Sequence, residues 1–228
     1  TYERDYKLRL RTVVDELVPL AEQAVSSLSI VREDPRGAKL KLSMTQQVIA
    51  LLLQKLFHKA NRPMAAEMPL LAPLADAASV SYKTIERIYA RPEVQLALNN
   101  LHVLMLRRKG VEHVDSCGDA TGFLLSIKEN YESQAKKLKE AHEAKRAKCA
   151  FAFTLLDLRT NLYVAYASSF RSEKAAYQKA MDMVAELGIT FESIRLDRYY
   201  SGQSYAAQLA ELSPKVNLYL MPKTTSRV

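Results

Sequence analysis

Apolar residues in the first 110 positions recur every three or four residues, which is the spacing of an amphipathic helix. Leu8, Val13, Val14 and Leu17 show this spacing, and residues 48–56 show it again. Prolines at positions 19, 35, 63, 69, 73 and 92 and glycines at 37 and 110 interrupt the runs. The pattern predicts several short helices joined by tight connections, and therefore an all-α region over residues 1–110.

Residues 74–94 of this region have the more specific pattern LADAASVSYKTIERIYARPEV. A short first helix with small residues at 75, 77 and 78 is predicted before a turn at 79–81. Ser81 is placed to cap a second helix in which Ile85 and Ile88 face inward. The pattern predicts a helix-turn-helix over about 74–92, whose second helix can enter a DNA major groove. Its predicted outward, DNA-contacting residues are Tyr82, Lys83, Arg87 and Arg91. The alternative is an ordinary helical hairpin with a solvated basic face.

After Gly110 the pattern becomes that of strands and helices in alternation. Residues 111–119, 149–158 and 162–170 predict three strands, and a hairpin turn at 159–161 joins the second to the third. A helix is predicted over 172–188, capped by Ser172 and ended by Gly188. A fourth strand ends at Asp197, a helix follows at 204–212, and a fifth strand ends near Pro222. The order β-β-β-α-β-α-β is that of the ribonuclease H-like fold, so we expect an α+β protein whose α/β core occupies residues 111–228.

Two aspartates, Asp119 and Asp197, each stand at the end of a predicted strand. The first and fourth strands of this topology are adjacent and parallel, so their ends bring the two carboxylates together. Metal-dependent phosphoryl transfer needs oxygen ligands around divalent ions, and the pattern predicts a Mg²⁺ or Mn²⁺ site here. Asp115 stays an alternative first ligand, because on a regular strand it faces the same side as Asp119. A plain turn is the alternative for Asp119 and its small neighbours, and Asp157 is predicted to be a turn residue.

The charge of the chain favours a polyanionic partner such as DNA. The formal net charge is +8, and residues 1–110 hold 17 Lys and Arg against 11 Asp and Glu. Residues 133–149 carry six basic residues against two acidic ones, which predicts either an arm on DNA phosphates or a solvated helix. The basic candidates in the second region are Lys136, Lys137, Lys139, Lys145, Arg146, Lys148 and Lys223. Two cysteines and no apolar span of bilayer length predict a cytoplasmic, nucleoid-associated protein without a membrane anchor.

Three segments resemble the insertion-sequence DDE transposases. The segment GDATGF at 118–123 resembles the family's first-aspartate motif, and LDRYYSGQSY at 196–205 resembles its second-aspartate motif. The segment LYLMPKTTSRV at 218–228 resembles the strand and Pro-Lys segment that follow in the family. The resemblance implies that Asp119 and Asp197 are catalytic carboxylates and that Tyr200 and Ser201 are the Tyr-polar pair of the family. It also implies transposition, in which a homo-oligomer cleaves DNA at the element ends and transfers the strands to target DNA.

The family also requires a third carboxylate, a glutamate on a helix beyond the fifth strand. No glutamate of this chain stands there, since Glu211 precedes the fifth strand. We therefore expect an incomplete catalytic domain that is weakly active or inactive by itself. The first alternative is a non-enzymatic DNA-binding protein or repressor derived from a transposase fragment. The second is a ribonuclease H-like nuclease or resolvase that acts without strand transfer.

Overall fold

The computed structural model describes residues 2–29, 40–124 and 149–221. The chain divides into two compact units, Thr1–Met105 and Leu106–Val228. Among the described residues, no helix combines the length and the apolar composition that crossing a bilayer requires. Helices and a mixed five-stranded sheet together make this an α+β protein.

The first unit is built from helices in its described part. They are α1 (Tyr2–Ser26), α2 (Met44–Leu56), α3 (Asn61–Glu67), α4 (Tyr82–Ile88) and α5 (Pro92–Arg108). A capping box starts α2, since the Ser43 hydroxyl accepts from the Gln46 backbone N–H at 3.1 Å and the Gln46 side chain accepts from the Ser43 N–H at 2.8 Å. The core is a cluster of apolar side chains from these helices, and α4 contacts both α2 and α3 within it.

The segment before α4 differs from the prediction. No helix covers residues 75–78, and the segment forms two 3₁₀ turns, Met68–Leu70 and Ala72–Leu74. Pro69 and Pro73 lie inside these turns and lack the backbone N–H that a continuing α-helix needs. Ser81 does hold the N-cap position of α4, although its hydroxyl lies 3.4 Å from the Thr84 hydroxyl and caps no backbone N–H. Ile85 and Ile88 are buried, as predicted.

The second unit has the predicted order of strands and helices. Its elements are β1 (His113–Leu124), β2 (Cys149–Asp157), β3 (Tyr163–Ser169), α6 (Glu173–Glu186), β4 (Thr190–Leu196), α7 (Gln203–Leu212) and β5 (Asn217–Leu220), with a 3₁₀ turn at Arg198–Tyr200 after β4. The Ser172 hydroxyl caps α6 by accepting from the Ala175 N–H at 3.1 Å. Gly188 follows the helix with a φ of +66°, the backbone region that glycine favours.

The five strands form one sheet in the order β3-β2-β1-β4-β5. The first three strands pair antiparallel, as the predicted meander requires, whereas β4 lies parallel to both β1 and β5. Helix α6 packs on β1, β2 and β3, and Tyr177 of this helix contacts the Phe153 ring edge-on. Phe153, Leu155 and Leu196 therefore mark the inner face of the sheet. Since side chains alternate along a strand, the residues between them lie on the outer face.

Strand β1 is longer than predicted. It continues through residues 120–124, and its pairing with β2 runs from Ser116↔Asp157 to Leu124↔Cys149. Asp119 is therefore inside the strand, paired with Thr154, and neither at its end nor in a turn. The short residues that suggested a turn are instead part of an antiparallel ladder, because β2 supplies hydrogen-bond partners along the whole stretch.

Candidate functional site

Asp119 and Asp197 come directly after the last residue pair that joins β1 to β4. That pair is Gly118↔Leu196, so Asp119 is the next residue of β1 and Asp197 is the first residue after β4. Neighbouring strands lie about 4.8 Å apart, and side chains at matching positions share a face. Gly118 and Leu196 are on the inner face, which places both aspartates on the outer one, and both are exposed. The fold thus brings the two predicted carboxylates to the end of the β1–β4 pairing, on the outer face of the sheet.

Backbone N–H groups orient both carboxylates. Asp119 Oδ1 accepts from the Ala120 N–H at 2.8 Å. Asp197 is the N-cap of the 3₁₀ turn, and its Oδ1 accepts from the Tyr199 N–H at 2.6 Å. Within the described ranges neither carboxylate forms an ion pair. Each therefore keeps an oxygen that can bind a cation.

Gly118 leaves room for neighbouring side chains on the inner face of the sheet, next to Asp119. A Cβ atom on residue 118 would lie 2.7 Å from Phe153 Cζ and 2.9 Å from Leu196 Cδ2, and both distances are shorter than real Cβ contacts. The glycine has no positive φ, so conformational freedom is not the reason for it. Because it lacks a side chain, the Phe153 ring can pack against β1 at Gly118, the residue before Asp119.

Asp115, the alternative ligand, is engaged by other side chains. Its Oδ1 accepts hydrogen bonds from the Ser193 hydroxyl and from Arg195 Nη1. The bond from Ser193 is the larger influence and that from Arg195 the next, and together they hold the pKa of Asp115 below its usual value. The Arg195 guanidinium also lies 5.0 Å from the centre of the Tyr219 ring. Asp115 and Asp119 are both on the outer face, but they differ in that the charge of Asp115 is already balanced.

Asp157 has the turn role that the sequence predicted. Its side chain is buried and Oδ2 accepts from the Thr160 N–H at 3.0 Å and from the Thr160 hydroxyl at 2.6 Å. Asn161, in the same turn, has a φ of +56°. These bonds close the connection between β2 and β3, so the carboxylate serves the hairpin.

Of the four residues predicted to project from α4, Lys83 and Arg87 are exposed. Tyr82 is half-buried and packs against the helical core, with the Arg62 guanidinium 4.9 Å from its ring centre. Arg91 follows α4 and is also half-buried, because its Nη1 donates to Gln47 Oε1 at 3.1 Å. The prediction that all four face outward is therefore wrong for Tyr82 and Arg91.

A cleft beside α4 contains a basic residue that the sequence reasoning missed. Lys41 lines this cleft together with Leu40, Leu42, Gln47, Thr84, Arg87, Ile88 and Arg91. Gln47 is buried and shapes the wall, since its Nε2 donates to the Leu42 carbonyl at 3.0 Å while its Oε1 accepts from Arg91. The only signal for Lys41 in the sequence is its place two residues before the capping serine of α2.

The other basic candidates, Lys136, Lys137, Lys139, Lys145, Arg146, Lys148 and Lys223, lie outside the described residues. Within the described part of the chain, no three His, Cys, Asp or Glu side chains form a group that could hold a metal ion. A cation at Asp119 and Asp197 would therefore rely on these two carboxylates and on ligands from elsewhere, such as water or substrate phosphate.

Comparison with known proteins identifies a relative that is similar along most of the chain. No family model matches the chain. A probable transposase for insertion sequence element ISA1214 of Archaeoglobus fulgidus is 36% identical over 217 residues, which cover 94% of this chain. The chain spans 64% of the length of that relative. The similarity extends across both units and confirms the coarser part of the prediction: the chain is a relative of the insertion-sequence transposases, and the DDE subtype stays a prediction.

Proposed function

We propose that this chain carries the DNA-binding region and part of the catalytic core of a DDE-type transposase, which cleaves DNA at the ends of its element and transfers the strands. The observation that carries the proposal is the pairing of Gly118 with Leu196 on neighbouring parallel strands, since Asp119 and Asp197 each follow directly after one of these two residues. The relationship to a probable insertion-sequence transposase supports it independently.

The arrangement of the sheet supports a ribonuclease H-like core. Three antiparallel strands are followed by two parallel ones in the order β3-β2-β1-β4-β5. The carboxyl ends of β1 and β4 point the same way because these strands are parallel. In this fold the metal ligands come from those two strands, which is where Asp119 and Asp197 lie.

The two aspartates fit a hard divalent cation. Mg²⁺ and Mn²⁺ prefer carboxylate oxygens, and Mg²⁺ usually takes one or two carboxylates together with water and substrate phosphate. Asp119 and Asp197 would hold the cation, and the backbone bonds from Ala120 and Tyr199 would keep their carboxylates oriented. When bound, the cation supplies Lewis-acid activation of the phosphodiester and of the attacking oxygen.

Asp119, rather than Asp115, is proposed as the first ligand. Asp115 already accepts from Ser193 and Arg195, so a cation there would have to compete with a guanidinium. Asp119 has no such partner among the described residues. The third carboxylate that the family requires would come from beyond the fifth strand.

DNA binding is proposed for the helical unit, with α3 and α4 as a helix-turn-helix. Helix α3 takes the place of the helix predicted at 75–78, since it packs against α4. Lys83 and Arg87 would contact DNA directly. Lys41, from the cleft beside α4, would add a phosphate contact. The excess of basic residues in this region agrees with a phosphate partner.

The metal site can be tested by titrating Mn²⁺ into the protein and following the free ion by electron paramagnetic resonance. We expect D119N and D197N to lose most of the binding, because each removes a charged ligand. D115N and D182N are the controls, since Asp115 is engaged by Arg195 and Asp182 is an exposed aspartate on α6. Binding that survives in D119N and D197N but is lost in D115N would reject the proposed ligand pair.

The reaction can be tested with a plasmid that carries the gene and its flanking DNA. Strand transfer predicts products in which donor and target strands are joined, whereas nicked or linear products alone would indicate a nuclease or resolvase. DNA binding with neither Mn²⁺ binding nor cleavage would indicate a DNA-binding protein derived from a transposase.

A further inference from the structure

Glu173 and Tyr200 form a hydrogen bond next to the candidate metal site. The Tyr200 hydroxyl donates to Glu173 Oε1 at 3.0 Å. Glu173 is the first residue of α6, and Tyr200 is the last residue of the 3₁₀ turn that begins after Asp197. The bond therefore joins the start of a helix to the turn that carries a candidate ligand, across 27 positions of sequence. The aspartate motifs assign no role to Glu173.

Burial makes this bond important for Tyr200. Its side chain is fully buried, and its ring centre lies 4.9 Å from that of Tyr177, 5.4 Å from that of Tyr205 and 5.6 Å from that of Phe153. A buried hydroxyl without an acceptor would be destabilising. Burial, and then the bond to Glu173, raises the pKa of Tyr200. The hydroxyl therefore stays protonated at physiological pH and remains the donor to Glu173.

The same turn holds the carboxylate of Asp197. The Tyr199 N–H donates to Asp197 Oδ1 at 2.6 Å, and the Tyr200 N–H donates to the Asp197 carbonyl at 3.2 Å. Tyr200 and its neighbour Tyr199 carry both donating N–H groups, so movement of the Tyr200 ring would move the backbone that holds them. A shift of the ring would loosen the cap and let the Asp197 side chain change rotamer.

The aromatic cluster around Tyr200 also contacts Gly118, the residue before the other aspartate. Phe153 contacts the Tyr200 ring and fills the space that Gly118 leaves, directly before Asp119. The cluster therefore touches the backbone on which both carboxylates stand. Glu173 is the acceptor that holds Tyr200 within it.

We infer that Glu173 is a positioning residue for the metal site: through Tyr200 it holds the turn that orients Asp197 toward the cation. The inference rests on the proposed function for the identity of the site, whereas its first step, the control of the Asp197 turn by Glu173, can be measured without metal. It assigns Glu173 no contact with the cation or with DNA.

Five variants separate this role from a general effect on folding. E173A and Y200F each remove the bond, whereas E173Q keeps an oxygen acceptor and removes only the charge. Y177F is the matched control for Y200F, because the buried Tyr177 hydroxyl has no hydrogen-bond partner among the described residues. E186A is the control for E173A, since it removes an exposed glutamate at the other end of α6.

The first measurement is amide hydrogen exchange of Tyr199 and Tyr200 by NMR in metal-free protein. We expect exchange at least tenfold faster in E173A and Y200F, and close to wild type in E173Q, Y177F and E186A, because only the first two open the turn. Equal exchange rates in E173A and wild type would overturn the inference, whatever the protein does with metal.

The second measurement is Mn²⁺ affinity of the same variants. Residues that orient metal ligands usually change metal affinity 10- to 100-fold, so we expect about tenfold weaker binding in E173A and recovery in E173Q. Wild-type affinity in E173A would overturn the inference, provided that D197N has lost binding. If D119N and D197N both bind like wild type, the proposed metal site is wrong, and the exchange rates alone then decide whether Glu173 controls the turn.

Discussion

The Phe153 ring occupies the space that a side chain on residue 118 would need, since a Cβ atom at Gly118 would lie 2.7 Å from Phe153 Cζ. Leu155 Cδ1, at 3.0 Å, closes a further side of this space. Both Phe153 and Leu155 are fully buried, so neither can move away into solvent. The packing beneath the candidate site therefore depends on the missing side chain of one glycine.

We accordingly expect G118A to destabilise the protein by about 1–3 kcal/mol, the usual cost of overpacking a core. G122A is the matched control in the same strand, because a Cβ there meets nothing closer than 3.7 Å. Its free energy of unfolding should stay near that of wild type or rise, since alanine is less flexible than glycine in the unfolded chain. Chemical denaturation of both variants measures the difference, and equal unfolding free energies would contradict the packing argument.

The Asp115–Arg195 pair predicts a pH dependence of stability. The pKa of Asp115 is lowered by Ser193 and then by Arg195. The stability that the charged Asp115 contributes is therefore fully present above the unfolded pKa of about 3.9, and it is lost as the pH falls through the lower folded pKa. D115N should therefore lose less stability than wild type when the pH is lowered below about 4. Denaturation midpoints between pH 7 and pH 2 measure this, with D182N as a control that keeps the wild-type slope.

The turn role of Asp157 predicts that replacing it lowers the stability of the protein and leaves metal binding unchanged. D157A removes the charged acceptor of the Thr160 N–H and hydroxyl, and a hydrogen bond to a charged group contributes about 1.5–3 kcal/mol to stability. D157N should cost less because its side-chain oxygen can still accept. Unfolding free energy and Mn²⁺ affinity, measured on the same samples, check both parts. A D157A protein of wild-type stability that has lost Mn²⁺ would reverse the assignment.

The proposed DNA binding by α4 predicts a change in the salt dependence of DNA affinity. Each phosphate contact contributes about 0.9 to the slope of log affinity against log salt, so K83A and R87A should each lower the slope by roughly that amount. K59A is the matched control, because Lys59 is paired with Glu67 at 2.8 Å, and Y82F removes no charge. Fluorescence anisotropy at several salt concentrations gives the slopes. Unchanged slopes in K83A and R87A would place the DNA contacts elsewhere.

Local patterns were sufficient for the type and order of the elements in the second unit. The change in the pattern of apolar residues after Gly110 indicated the strands. Apolar residues at helical spacing between Ser172 and Gly188 indicated α6. Both signals are local, because they depend only on neighbours within one helical turn or one strand. They were insufficient where a partner decides the structure. Strand β1 continues to Leu124 because β2 pairs with it, and residues 75–78 stay non-helical after the proline-containing 3₁₀ turns.

The sequence by itself determined the order of the elements, the two motifs around Asp119 and Asp197, and the relationship to insertion-sequence transposases that the comparison confirmed. Only the tertiary structure decided which charged and polar side chains meet. Ser193 lies 78 positions from Asp115, Arg91 lies 44 from Gln47, and Tyr200 lies 27 from Glu173. No local periodicity encodes such contacts, because they arise when separate elements pack and each buried polar group must find its partner.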